Sequence, residues 1–159
     1  MNDRSPLLAV RRLKVHYPLR SWLPWRRGGV AKAVDSVDFN LHAGETIGIV
    51  GESGSGKSSI ARTLAGLQKA TSGAIEYTTR DGHTVDLAKL EPKLWRRLRR
   101  DIQLVFQDPQ SSLNPRHRVG RIVEEPLRAL FPELGKNERT ARMLAMLDRV
   151  GLSPEHADR

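Results

Sequence analysis

The run Gly51-Glu52-Ser53-Gly54-Ser55-Gly56-Lys57-Ser58 fits G-x-x-x-x-G-K-[ST], a pattern whose chemistry is phosphate binding. Glycines let the backbone take positive φ values and curl around an anion. Successive N–H groups then point inward and form a nest for phosphate oxygens. A helix opening straight after the loop adds its positive N-terminal end to the same place. In such a loop Lys57 reaches the β- and γ-phosphates, and the Ser58 hydroxyl holds a Mg²⁺ ion. The plain alternative is a Gly/Ser-rich surface loop. The flanks argue against it. Thr46-Ile47-Gly48-Ile49-Val50 reads as a short buried strand, and Ser59 to Ala65 reads as a helix with Ile60, Leu64 and Leu67 at helical spacing. Strand, loop and helix in that order are what the pattern requires.

A second stretch, VFQDPQSSLNPR from Val105 to Arg116, could also carry chemistry. It places Gln107 at the end of a strongly apolar strand, Ile102 to Phe106, where a proline-rich loop opens. A side-chain amide both accepts and donates. It can therefore sense a metal-bound water and pass that state to a movable loop. The spacing alone is equally compatible with an ordinary strand-ending turn.

The elements that must position these residues can be read from periodicity. Leu7 to Tyr17 alternates loosely and predicts a strand. Pro18 to Gly29 predicts a loop, and Ala31 to Leu41 a second strand with Ala33, Val37, Phe39 and Leu41 facing one way. His42 to Glu45 is a turn. After the phosphate loop and its helix, Ala74 to Tyr77 and Thr84 to Leu87 predict a hairpin closed by the Asp81-Gly82 turn signal. Glu91 to Arg100 predicts a short basic helix with Pro92 tolerated in its first turn. Val119 to Leu130, interrupted by Pro126, and Asn137 to Val150 predict two further helices. In the second of these Leu144, Leu147 and Val150 share a face and Gly151 is the stop.

Composition bounds the rest. The chain has 159 residues, enough for one domain with a real core, and its 38% hydrophobic and 28% charged residues suit a soluble protein. No apolar run approaches the roughly 20 residues needed to span a bilayer. No signal-peptide core follows Met1, and with Cys 0 there is no disulfide framework, so a cytosolic location is the default. The formal net charge is +9. Basic residues concentrate at Arg11-Arg12, Arg26-Arg27 and Arg96 to Arg100. Such a surface suits nucleic acid, acidic membranes or phosphate ligands, or is simply solvated. Aromatics make up only 5% and do not interleave with the arginines as base stacking needs, so nucleic acid is not favoured.

Taken together, the two motifs resemble those of ATP-binding cassette (ABC) ATPases. VFQDPQSSLNPR resembles their Q-loop, in the form used by the dipeptide, oligopeptide and nickel importer branch. Ala33 to Phe39, Gly44-Glu45-Thr46 and the inserted segment after Tyr17 are similar to the same branch. The resemblance covers nearly the whole chain. It implies an α/β fold of the P-loop NTPase type, an incomplete ABC nucleotide-binding domain with an antiparallel β subdomain and the start of a helical subdomain. The expected division is residues 1–106, the β-rich core with the P-loop, and 107–159, the Q-loop and partial helical subdomain. By position, Gly51, Glu52, Ser53, Gly54, Ser55, Gly56, Lys57, Ser58 and Ser59 would bind ATP. Tyr17 would stack on adenine; its plain alternative is a core tyrosine at a strand end. Ser58 and Gln107 would attend Mg²⁺, and Gln107 would couple the attacking water to a membrane partner. The implied partners are transmembrane permease subunits, a second ABC ATPase subunit (the same or a different chain) and, indirectly, a solute-binding protein. The implied place is the cytoplasmic face of the inner membrane.

The chain also departs from the family. A Leu-Ser-Gly-Gly-Gln-like signature, a Walker B strand ending in Asp-Glu and a switch histidine are not found in it. Leu144 to Asp148 mimics a Walker B strand but lies in a helical pattern with Arg149 where Glu belongs, and His156 has no support as the switch. The expectation is a truncated sequence that binds ATP without ordinary turnover, with open sheet edges. Two other readings stay open: a soluble ABC-type ATPase acting on nucleic acid, and a nucleotide-binding module without turnover. A P-loop kinase or GTPase fits least.

Overall fold

A computed structural model of the chain describes residues 5–19, 28–108 and 112–159. Residues 20–27, which hold Arg26, Arg27 and most of the predicted Pro18–Gly29 loop, and residues 109–111 of the second motif lie outside the described residues. The chain divides into two compact units, Met1–Leu98 with Ile102–Leu104, and Arg99–Asp101 with Val105–Arg159.

The first unit is built on a four-stranded antiparallel sheet in the order β2-β1-β3-β4. Its strands are β1 (Leu8–Pro18), β2 (Val30–Leu41), β3 (Ser72–Thr78) and β4 (Thr84–Asp86). β1 lies in the middle and pairs with β2 on one side and β3 on the other. Strict alternation fails in both β1 and β2, for one reason. Arg12 has φ 45° and Ser36 φ 65°, and the register shifts between Val10 and Leu13. These facing bulges each insert residues that restore the inward face out of phase. The core side chains of β1 are therefore Leu8, Val10, Leu13 and Val15. On β2 the fully buried residue is Val34 rather than the expected Ala33, and Val37, Phe39 and Leu41 follow it in the core after the bulge.

The Asp81-Gly82 turn closes β3 onto β4 as expected, with Thr79 N–H donating to His83 O at 2.8 Å. The strand ends at Asp86, one residue short of the predicted limit, because Asp86 turns the chain into a single 3-10 turn, Leu87–Lys89. Its carboxylate accepts from Ile75 N–H at 3.0 Å and Ala88 N–H at 3.1 Å, and Lys89 Nζ lies 3.1 Å away. Burial raises the Asp86 pKa, but the two N–H donors and Lys89 outweigh it and hold the carboxyl below its ordinary 3.8. A depressed folded pKa gives stability that is complete above 3.8 and is lost as pH falls through the lower folded value. Thermal unfolding of the wild type is therefore expected to show an acid-side loss that Asp86→Ala lacks. At neutral pH that variant is expected to be less stable by about 1–3 kcal/mol, the cost of two orphaned N–H groups. A parallel decline of both proteins below pH 4 would count against this role for Asp86.

Helix α1 (Lys57–Leu64) buries Ile60 and Thr63. Leu64 packs at the edge of the core, whereas Leu67 lies beyond the helix end and is 51% exposed. Helix α2 (Pro92–Leu98) buries Trp95, whose ring fills the space beside Gly66.

Two segments depart from expectation. Thr46 to Val50 and Ile102 to Phe106 read as buried strands, yet neither joins a ladder. Val50 is 95% and Val105 93% exposed, so these are not buried strands in this structure. A strand needs a neighbour for its N–H and C=O groups, and the sheet of β1 to β4 offers neither segment one.

The second unit packs α3 (Val119–Leu130) against α4 (Lys136–Arg149). α3 runs on through Pro126 rather than being interrupted there, at the cost of one backbone hydrogen bond. The buried pair on α4 is Met143 and Leu147, an i, i+4 stripe, while Val150 at the C-cap is 70% exposed. Gly151, with φ 75°, ends the helix as expected, and Leu152 N–H donates to Leu147 O at 3.0 Å. Glu124 and Arg139 form a half-buried ion pair at 3.1 Å across the two helices.

Candidate phosphate-binding site

The site grows from the junction of β2 and α1. α1 opens at Gly56, whose φ of 93° is left-handed, and its first internal hydrogen bond is Ile60 N–H to Gly56 O at 2.9 Å. The N–H groups of Lys57, Ser58 and Ser59 therefore lack intrahelical acceptors. No acidic side chain stands in the first turn to compensate them. The dipole and the free donors together favour an anion.

The loop before the helix is closed on itself. Lys57 Nζ donates to Gly51 O at 2.7 Å, to Glu52 O at 2.5 Å and to Ser55 Oγ at 3.3 Å. Ser55 N–H donates to Glu52 O at 3.2 Å. The ammonium group thus braces both ends of the loop, and its third contact is the longest. Behind the loop stands β2. A Cβ on Gly56 would come within 2.0 Å of Ala33 O, so backbone meets backbone here. The result is a shallow depression of about 150 Å³ lined by Ala33, Gly54, Gly56, Lys57, Ser58 and Ser59.

Tyr17 is brought to the same place. It sits near the end of β1, opposite Ala31 of β2, and packs against the edge of the core. Its hydroxyl lies 3.2 Å from Ser59 Oγ. Ser59 is anchored in turn, because the buried Thr63 donates its hydroxyl to Ser59 O at 2.7 Å. Gln107 belongs to the second unit, where it is exposed in a bend. Further along, the Asn114 side-chain oxygen accepts from Arg116 N–H at 3.0 Å, an Asx turn.

Sequence reasoning missed Ala33 O and Thr63. A backbone carbonyl leaves no trace in residue type, so Ala33 could not have been found. Thr63 could have been, since a threonine four residues after Ser59 can bond its carbonyl.

The chain is similar to several known proteins. The family model described as ABC transporter matches residues 34–159. The oligopeptide transport ATP-binding protein OppF of Escherichia coli (strain K12) is 43% identical over 159 residues, 98% of this chain and 46% of that protein. The dipeptide transport ATP-binding protein DppF of the same organism is 42% identical over 158 residues, 98% of this chain and 45% of that protein. The glutathione import ATP-binding protein GsiA of Salmonella typhi is 45% identical over 156 residues, 98% of this chain and 24% of that protein. The chain therefore spans about half the length of the first two. Among solved structures, the ATP-binding cassette MJ0796 in a post-hydrolysis dimer bound to ADP and Pi superposes with a TM-score of 0.73 at 24% identity, over 96% of this chain and 60% of that one. The cbiO1 structure from Clostridium perfringens gives a TM-score of 0.65 at 26% identity, over 98% of this chain and 54% of that one. The fold is that of an ABC ATPase cassette in part, and with its family model matched over residues 34–159 the chain belongs to the ABC transporter family.

Proposed function

We propose that this chain supplies the ATP-binding P-loop half of an importer ATPase for peptides or a related small solute. The carrying observation is the closed loop with Lys57 clamped on Gly51 O and Glu52 O beneath a helix N-terminus of free donors. The names of the similar proteins supply the importer class. In this reading the loop N–H groups and Lys57 hold the β- and γ-phosphates, Ser59 adds a polar contact, and the Tyr17 ring takes the adenine. The donor set also fits Mg²⁺, which keeps most of its waters and needs few protein oxygens. Ser58 would supply one such oxygen from the exposed first turn of α1, and the resemblance of its loop to the Q-loop gives Gln107 a part in attending the ion. The bound ion supplies charge neutralisation between the phosphates. Gln107 opens the part, residues 107–159, that would face a membrane permease. A second ATPase subunit, identical or different, would close over the nucleotide, and a solute-binding protein would deliver cargo from the far side. The working place would be the cytoplasmic face of the inner membrane. No helix among the described residues is long and apolar enough to cross that membrane.

Binding without ordinary turnover is the expected behaviour of the 159-residue chain. None of the described residues lining the phosphate depression is acidic. Absence of a positioned carboxylate for the attacking water slows hydrolysis by roughly 10²–10⁴-fold. Calorimetry with Mg²⁺-ATP should report binding, and a single-turnover assay should release phosphate at least about a hundredfold more slowly than a full-length relative. Turnover at the relative's rate would overturn this part of the reading; absence of binding would overturn the whole of it.

A further inference from the structure

We propose that Ser59 is a positioning residue for Tyr17. Its hydroxyl ties the ring at the end of β1 to the first turn of α1, so that the seat for a planar ring and the seat for phosphates are mechanically one. The inference rests on the phosphate-site reading above and concerns what couples its two parts.

The geometry is specific. Tyr17 lies next to last in β1, where the sheet is about to release the chain. Its ring packs against the core cluster and is partly buried. Its hydroxyl takes Ser59 as partner at 3.2 Å. Ser59 is the rigid end of that bond, because α1 carries it and Thr63, only 3% exposed, holds its carbonyl at 2.7 Å. A serine hydroxyl has one hydrogen and two lone pairs. If the Tyr17 O–H donates to Ser59 Oγ, the Ser59 hydrogen is left for an acceptor in the depression that Ser59 itself lines. A phosphate oxygen arriving there polarises Ser59 and strengthens the bond from Tyr17. Phosphate binding then fixes the ring, and a ligand carrying both phosphate and a planar base gains more than the sum of its parts.

The test titrates Mg²⁺-ATP and Mg²⁺-tripolyphosphate separately into the whole chain and its variants by calorimetry. The readout is the ratio of the two affinities. Ser59→Ala is expected to lower the ATP-to-tripolyphosphate ratio about fivefold, the worth of one ordinary hydrogen bond. Tyr17→Phe, which keeps the ring, is expected to lower it equally, and the double substitution no further than either single one. Ser59→Thr retains a hydroxyl and restores the ratio. If Ser59→Ala weakens both ligands alike, Ser59 is a phosphate contact only and the positioning role is wrong. Losses that multiply in the double variant overturn it too. Wild-type chain that fails to bind tripolyphosphate at all overturns the underlying phosphate site, an outcome distinct from either of these.

Discussion

Lys57→Ala is expected to weaken ATP binding by about a hundredfold while leaving the fold in place. The side chain spends two of its three N–H donors on Gly51 O and Glu52 O, at 2.7 and 2.5 Å. Its third contact, to Ser55 Oγ at 3.3 Å, is the longest and the easiest to exchange for a phosphate oxygen. The substitution therefore removes a charge-assisted bond to the ligand and the brace that keeps the loop curled around it. A hydrogen bond to a charged group contributes about 1.5–3 kcal/mol, and each 1.4 kcal/mol is a factor of ten in affinity. One such bond plus partial loss of the brace gives the hundredfold figure. Lys57 is half exposed and lies outside the hydrophobic core, so water takes over much of what the freed carbonyls lose and the melting temperature should fall by only a few degrees. Lys57→Arg should not rescue binding, because a planar fork cannot bond two carbonyls in the way a compact ammonium does. Titration of the three proteins with ATP measures all of this. Equal affinities in wild type and Lys57→Ala would remove the phosphate-loop assignment.

The course of the loop and the opening of α1 were legible in the sequence because they are written in residue types. Gly54 and Gly56 take left-handed angles that other residues disfavour, and Lys57 begins the helix they lead into. The elements around it were legible to differing depths. The hairpin of β3 and β4 was announced by Asp81-Gly82, and the end of α4 by Gly151, since both use local backbone rules. The inward face of β2 was misjudged because a bulge at Ser36 changes its phase, and the matching bulge at Arg12 lies far away in sequence. Val34 therefore took the place that strict alternation assigned to Ala33. That displacement leaves Ala33 at the rim of the depression, where its carbonyl backs the loop.

Thr46 to Val50 and Ile102 to Phe106 teach the opposite lesson. Their apolar runs record an intrinsic preference for a buried strand, and residue type can record no more than that. Whether a strand forms depends on a neighbour whose position is a property of the whole sheet. Ile47, Ile49 and Val50 are exposed beside a sheet whose four strands pair among themselves. The helix α4 shows the same distinction at smaller scale. Its period was correct, but packing against its neighbours decides which stripe is covered, and here that stripe is Met143 and Leu147.

Gly56→Ala tests whether β2 is in fact the backstop of the site, and its contrast with Gly54→Ala makes the test sharp. Both glycines are left-handed, with φ 93° and 83°. An L-residue forced into that region costs about 1–2 kcal/mol at either position. Their surroundings differ. A Cβ on Gly54 would meet nothing within 4 Å, whereas one on Gly56 would lie 2.0 Å from Ala33 O and 3.0 Å from Ala33 C. Ala33 has no register partner on β1, but Lys32 and Val34 on either side of it pair with His16 and Val15, so its backbone has little room to step aside. The loop must lift off β2 or the strand must break, at a total cost of about 3 kcal/mol or more. At roughly 2–4 °C per kcal/mol for a chain of this size, Gly56→Ala should melt at least about 6–12 °C below wild type and Gly54→Ala only about 2–8 °C below. Affinity for ATP should follow the same order. It should be abolished in Gly56→Ala, because lifting the loop turns the N–H groups of Lys57 and Ser58 away from the phosphates, and only reduced in Gly54→Ala. Paired melting curves and titrations measure this. Equal losses in the two variants would mean that conformational strain alone matters and that Ala33 gives the loop no support.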